Sequence, residues 1–290
     1  MQNRLLVPLA AALAAILVSL LGATGAASST RATAAIPHRI VSLSPTATES
    51  LFAIGAGKQV IAVDDQSDYP ADAPRTKLSG FTPNVEAIAS YKPDLVVIAF
   101  DPGGLAASLR KLNIRVLSQP AVSTLQQAYG QILELGGVTG HAANAKAVVA
   151  GMKQRIAKIL AKAPHDPTLS VYHELEPDLY SATSKTFIGR IYALFGLKNI
   201  ADAADSTGSG YPQLSDEYII GANPSVIVLA DVRCCGQTQK TVAARPGWST
   251  IAAVRNHAIV RIDDSIASRW GPRIVNFIRA IASALRVARS

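Results

Sequence analysis

Two rhythms of apolar and polar positions alternate along this chain. Short β-branched runs, RIVSL (39–43), VIAVD (60–64), LVVIAF (95–100) and IRVLSQ (114–119), read as strands. Between them lie stretches with helical spacing: TESLFAIGAG with its glycine stop, NVEAIASYKPD ended by Pro93, and GLAASLRKLN. The strand runs are apolar nearly throughout, as strands covered on both faces are. Alternation of this length predicts βα units and a mostly parallel sheet. The rhythm then breaks. In 141–163, Ala142, Ala145, Val148, Val149, Met152, Ile156, Ile159 and Leu160 recur at helical spacing, with Lys146, Lys153, Arg155, Lys158 and Lys162 on the other face. This helix would be roughly 30 Å long, and Pro164 and Pro167 end it. Alternation then resumes. LSVYHEL (169–175), DLYSA (178–182), VIVLAD (226–231) and AIVRID (258–263) read as strands. TFIGRIYALFG, LSDEYIIGANPS, WSTIAAVRN and a terminal GPRIVNFIRAIASALRVA read as helices, with Pro272 in the last one's first turn. The expected fold class is α/β: an N-terminal lobe (35–140), one long rigid linking helix (141–163) and a C-terminal lobe (164–290). Each lobe is a mostly parallel sheet flanked by helices, with a ligand cleft between them. VEAIASYKPDLVVIAF and DEYIIGANPSVIVLAD are faintly similar: each runs acidic residue, short helix, proline, apolar strand.

Residues 1–34 stand apart from this pattern. Arg4 precedes an apolar run from Leu5 to Leu21, and Ala32-Thr33-Ala34 fits a small-x-small cleavage site. This is the pattern of an export signal peptide, which places the mature protein in the periplasm or outside the cell. No cysteine lies near the end of this segment, so no lipid anchor is expected. The alternative is an uncleaved N-terminal anchor.

Of 290 residues, 49% are hydrophobic and 17% charged, with a net charge of +8, which is ample for a core. The basic residues are scattered, without a Lys/Arg block or an aromatic-interleaved stripe, so no nucleic-acid partner is expected. In open α/β sheets ligands bind beyond the carboxyl ends of strands. In the first half that rule selects Ser44, Pro45 and Thr46, the stretch 65–69 with Gln66 and Tyr69, Asp101 with Pro102, and Gln119 with Pro120, with Phe81 nearby. In the second half it selects His173 and Glu174, then Arg233, Cys234 and Cys235, and the stretch 264–270 with Arg269 and Trp270; Tyr211 is a further candidate. Among the five histidines only His173 is placed to face a cleft, and one histidine is too few for a metal site, which needs three or four ligands. There is no G-x-S-x-G elbow, glycine-rich phosphate loop or H-E-x-x-H. No catalytic set, catalytic cofactor or metal centre is expected. The rival reading, an extracellular enzyme using His173 and Glu174 as an acid–base pair, lacks a nucleophile.

RIVSLSPTATESLFAIGAGKQVIAVDDQSDYPADA, with its SLSP-x-x-TE loop and SDYP, together with NVEAIASYKPDLVV, resembles class III (helical-backbone) periplasmic binding proteins. Within that family it is most similar to the vitamin B12 (cobalamin) binders. The resemblance covers the chain from about His38 to the last helix. It implies two lobes joined by a rigid helix and a corrinoid solute delivered to the permease dimer of an ABC importer. Haem or a ferric siderophore is the alternative metal chelate, its acidic groups pairing with Arg233 and Arg269. A monomer is expected. The resemblance also implies that Glu86 and Glu217, one on each lobe, dock on permease arginines. Two departures fall at the expected pocket: Gln66 stands where a tyrosine is expected, and Phe81 stands near a tryptophan position.

The only cysteines, Cys234 and Cys235, are adjacent in DVRCCGQ. Adjacent Cα atoms lie about 3.8 Å apart, below the usual disulfide range. Gly236 supplies backbone freedom, and an oxidising compartment disfavours exposed thiols. A vicinal disulfide shaping the loop tip is one expectation. Two buried thiols, or a thiolate on the metal of a ligand, are the alternatives.

Overall fold

A computed structural model describes residues 35–289; the export signal expected in 1–34 lies outside them. Among the described residues nine strands form: β1 (Ile40–Leu43), β2 (Val60–Asp64), β3 (Arg75–Leu78), β4 (Leu95–Ile98), β5 (Arg115–Ser118), β6 (Ser170–Glu174), β7 (Lys198–Asn199), β8 (Val226–Leu229) and β9 (Ile259–Arg261). The helices of the first half are α1 (Pro45–Ala53), α2 (Val85–Ser90), α3 (Leu105–Lys111), α4 (Leu125–Thr139) and α5 (Ala142–Leu160). Those of the second half are α6 (Phe187–Ala193), α7 (Asp216–Ala222), α8 (Val232–Cys235), α9 (Gln239–Ala243), α10 (Ala252–Arg255), α11 (Asp264–Ala267) and α12 (Ile274–Ala288).

The strands make two all-parallel sheets, ordered β3-β2-β1-β4-β5 and β7-β6-β8-β9. These are the two expected α/β lobes. Their central strands β1, β4 and β8 are buried along their whole length, which explains why they read as unbroken apolar runs. Alternate residues serve opposite faces. Ile40 and Val97 enter one core, Val41 and Val96 another. The first core is shared: it runs from Ile40 and Leu51 through Leu135, Val149 and Met152 to Val228 and Ile278. It therefore joins both sheets through α4, α5 and α12.

Local chemistry sets the helix ends. Ser44 caps α1 through Ala47 N–H, with Pro45 in the first turn, and Thr124 with Gln127 forms a capping box on α4. Helix α5 packs against α4 and α12. The turn between α4 and α5 needs Gly140 at φ 80°.

Several expectations are corrected. DLYSA forms no strand; Tyr180 makes only an isolated antiparallel bridge to Gln213. WSTIAAVRN divides into a 3-10 turn (Trp248–Thr250) and the short α10. Pro272 precedes α12 instead of lying in it. The short edge strands β3 and β7 carry too few apolar residues to have been legible as strands. Among the described residues, no helix is long and apolar enough to cross a membrane.

Candidate functional site

The carboxyl ends of β1, β2 and β4 deliver three turns to one side of the first sheet. These turns and the segment between α11 and α12 enclose a cavity of about 300 Å³. The first lobe lines it with Leu43, Ser44, Pro45, Thr46, Asp64, Gln66, Gly80, Phe81, Ala99 and Phe100, the second with Ser268, Arg269 and Trp270. Phe81 and Phe100 touch, with ring centroids 5.4 Å apart, yet are 65% and 43% exposed. An aromatic pair left this open on one wall offers a flat apolar contact surface. Trp270 is held by its indole N–H donating to Gln131 (2.8 Å) and by an edge contact with Phe187.

A second hollow of about 440 Å³ adjoins it, sharing Gln66, Ser268 and Arg269, and adding Asp65, Asp68, Arg233, Cys234, Asp264 and Ser265. Its walls are bound by ion pairs between the lobes. Arg269 Nη1 donates to Glu49 Oε1 (3.0 Å) and Asp68 Oδ1 (2.7 Å), and its Nη2 donates to the Gln66 carbonyl (2.8 Å). Arg273 holds both oxygens of the buried Glu49. Arg233 Nη1 donates to Asp68 Oδ2 (2.6 Å). Burial works to raise the Asp68 carboxyl, but the bonds and charges of Arg269 and Arg233 outweigh it and hold the group below the usual carboxylate range.

Of the residues expected at the cleft, Ser44, Pro45, Thr46, Gln66, Phe81, Arg269 and Trp270 line the first hollow and Arg233 and Cys234 the second. Five others do not meet there: Tyr69, Asp101, His173, Tyr211 and Cys235. Tyr69 turns to the far side of the ion-pair network, its ring 4.1 Å from the Arg273 guanidinium carbon, beside Phe52 and Pro272. Asp101 spends its carboxylate on the Ala106 N–H (2.7 Å), at the start of α3. Tyr211 is 48% exposed outside both hollows. His173 is fully buried, with Nδ1 on the Tyr192 hydroxyl and its ring against Phe277. Burial pushes its pKa down to about 3. Its neighbour Glu174 is also buried, in a two-pronged pair with Arg245 (both bonds 2.6 Å). These two side chains are core groups, which removes the acid–base pair weighed for an enzyme.

Cys234 and Cys235 are bonded to each other, exposed, and sit on α8, not in a loop. Gly236, at φ 69°, closes that helix. Asp264 anchors it from below by accepting the Arg233 and Cys234 N–H groups (3.0 and 2.8 Å). Only Cys234 reaches the wall of a hollow. Glu86 and Glu217 are exposed in the first turns of α2 and α7, helices that begin at Asn84 and Ser215 caps. Among the described residues, no group of three or more His, Cys, Asp or Glu side chains is arranged to hold a metal ion.

Sequence reasoning missed Glu49, Asp64, Phe100 and Arg273, and it took in Asp68 and Ser268 only as parts of the strand-end turns 65–69 and 264–270. Phe100 and Asp64 had a signal, since each ends a run read as a strand. Glu49 lies in the SLSP-x-x-TE loop, but nothing local gave its role or that of Arg273, because both roles come from pairing across more than two hundred residues of chain.

Comparison with known proteins agrees with this geometry. The family described as "Periplasmic binding protein" matches residues 40–266. The chain is 32% identical over 259 residues to an uncharacterised ABC transporter substrate-binding lipoprotein of Bacillus subtilis, spanning 86% of this chain and 80% of that one. It is 31% identical over 257 residues to a cobalamin-binding protein of Halobacterium salinarum, spanning 86% and 69% of the two chains. In structure it is similar to the apo form of a periplasmic haem-binding protein of Roseiflexus sp. RS-1, with a TM-score of 0.75, 24% identity, and 87% and 99% of the chains covered. That last likeness is one of fold.

Proposed function

Because the chain belongs to the periplasmic binding protein family, we propose that it captures a corrinoid outside the cytoplasm and hands it to the permease dimer of an ABC importer. The observation that carries this reading is the cleft itself. The strand ends of one sheet and the α11–α12 segment of the other converge on an open hollow with Phe81, Phe100 and Trp270 in its walls. Flat aromatic faces beside a few polar groups suit a large, rigid, mostly neutral chelate held by contact and hydrogen bonds. The kinship with a cobalamin-binding protein supports the same choice. With His173 and Glu174 withdrawn into the core, the cleft works by binding alone, and no chemical step is assigned to it.

Titration of the mature protein with cyanocobalamin, followed by quenching of Trp270 in the cleft, should give a saturable curve. Haemin and a ferric siderophore should bind at least about tenfold more weakly. Tighter binding of either one would make the protein an iron-chelate receptor and overturn the corrinoid assignment.

A further inference from the structure

The chain carries +8 overall, yet the cations of the cleft are already answered. Arg269 and Arg273 hold Glu49, Arg269 and Arg233 hold Asp68, and Arg233 also reaches Asp263 (3.4 Å). Three arginines thus face three carboxylates, and Asp64, Asp65 and Asp264 add further carboxyls to the same walls. Asp64 stands out among them. It ends β2, it lines the first hollow, it is 1% exposed, and its Oδ1 has no hydrogen-bond partner. Its other oxygen lies against Gly80, where a Cβ would fall 2.9 Å from Oδ2. A side chain at that position would collide with the carboxyl. Behind it, Ser67, Thr48 and Ser42 form a buried chain of hydroxyls (2.9 Å each). Burial, with the nearby Asp65 charge adding to it, pushes the Asp64 pKa up to about 6, against the pull of the Ser67 bond and the Arg269 charge.

We propose that Asp64 sets the ligand class of this cleft: it favours a metal chelate whose edge carries neutral amides and turns away one whose edge carries carboxylates. This rests on the reading of the cleft as a metal-chelate site. An amide N–H supplies the donor that Oδ1 lacks and brings no charge, so binding closes an open buried acceptor. A ligand carboxylate in the same place sets two like charges side by side where water is scarce. One of them must then take up a proton, or affinity falls. Arg269 and Arg273 cannot offset this without abandoning Glu49, which would leave a buried charge unpaired.

The test is a matched pair of ligands on each scaffold, titrated at about pH 7.5, where Asp64 is ionised. The corrinoid pair is cyanocobalamin and its monocarboxylic derivatives, in which one peripheral amide is hydrolysed. The haem pair is haemin and its bis-amide. On the scaffold that binds, the wild-type protein should prefer the amide form by about tenfold or more, and Asp64→Asn should narrow the ratio to about threefold. Asp64→Ser, which also removes the carboxyl, gives the same comparison should the first variant fold poorly. A ratio unchanged by both variants overturns the proposal even if cyanocobalamin binds tightly, and leaves the corrinoid reading standing. An Asp64-dependent preference seen only on the haem pair sinks the corrinoid reading and sustains the proposal. Failure of both scaffolds to bind sinks both.

Discussion

Asp231 shows how burial changes a carboxyl's chemistry. Asp231 is fully buried at the end of β8, and neither of its oxygens has a partner. Burial and the neighbouring Glu174 carboxyl push its pKa up to about 7, against a weaker pull from Arg245. A proton on Asp231 relieves its repulsion with Glu174, because Arg245 supplies only one positive charge. Nearby, Tyr172, also buried with a partnerless hydroxyl, is pushed well above the ordinary tyrosine range by burial and the Glu174 charge. The sign follows from linkage. A carboxyl whose folded pKa is raised binds its proton more tightly when folded. Its contribution to stability is full below about pH 4 and is lost as the pH rises through about 7. His173, pushed down to about 3, acts in the opposite sense: its contribution is present above the ordinary histidine range and is lost as the pH falls toward 3. Asp231→Asn offers Glu174 a donor that does not titrate. Its melting temperature should gain on the wild type between about pH 5 and 8, by about 2–4 °C for each kcal/mol recovered. Melting curves across that range check this, and parallel wild-type and variant profiles would mean that Asp231 holds no proton in the folded protein. Because both proteins keep His173 and Asp64, those contributions cancel in the comparison.

At the scale of elements, the α4–α5 hairpin depends on close approach. A Cβ on Gly136 would fall 2.3 Å from the Ala145 Cβ and 3.2 Å from the His141 carbonyl oxygen. Gly136→Ala should therefore push the helices apart and destabilise the protein by about 1–3 kcal/mol, the usual range for overpacking. Adding Ala145→Gly should recover part of that loss. Urea denaturation of the single and double variants measures both effects. Helical spacing was legible here in α5, but which small residue touches which was not, because it depends on how the two helices cross. The short helix α8 makes the same point. DVRCCGQ read as a strand tip, and four residues are too few for a helical period to show; the turn is held by Asp264, thirty positions away.

At the scale of the molecule, the shared apolar core and the Glu49 and Asp68 ion pairs both tie one lobe to the other. A body joined in this way can carry widely separated contact points as one unit, so two docking carboxylates would set orientation as well as attraction. The exposed Glu86 and Glu217, one on each lobe, fit that role and touch neither hollow. Replacing both with alanine should abolish uptake in cells while solute affinity stays within about twofold of wild type. A fall in affinity instead would place them in the binding site.

Read alone, the order of apolar runs determined that two parallel α/β halves would form and that a long helix would stand between them. Period and strand-end position are local properties, so they survive in the sequence. The tertiary structure decided which side chains face the cleft. Tyr69 and His173 satisfied the local rule as well as Gln66 and Trp270 did. Yet Tyr69 stacks on Arg273 and His173 bonds to Tyr192. Asp64 and Phe100 gained their places from turns that meet only when the second lobe brings Arg269 and Trp270 across. The direction a side chain takes at a strand end is settled by partners far away in sequence, and no local pattern records them.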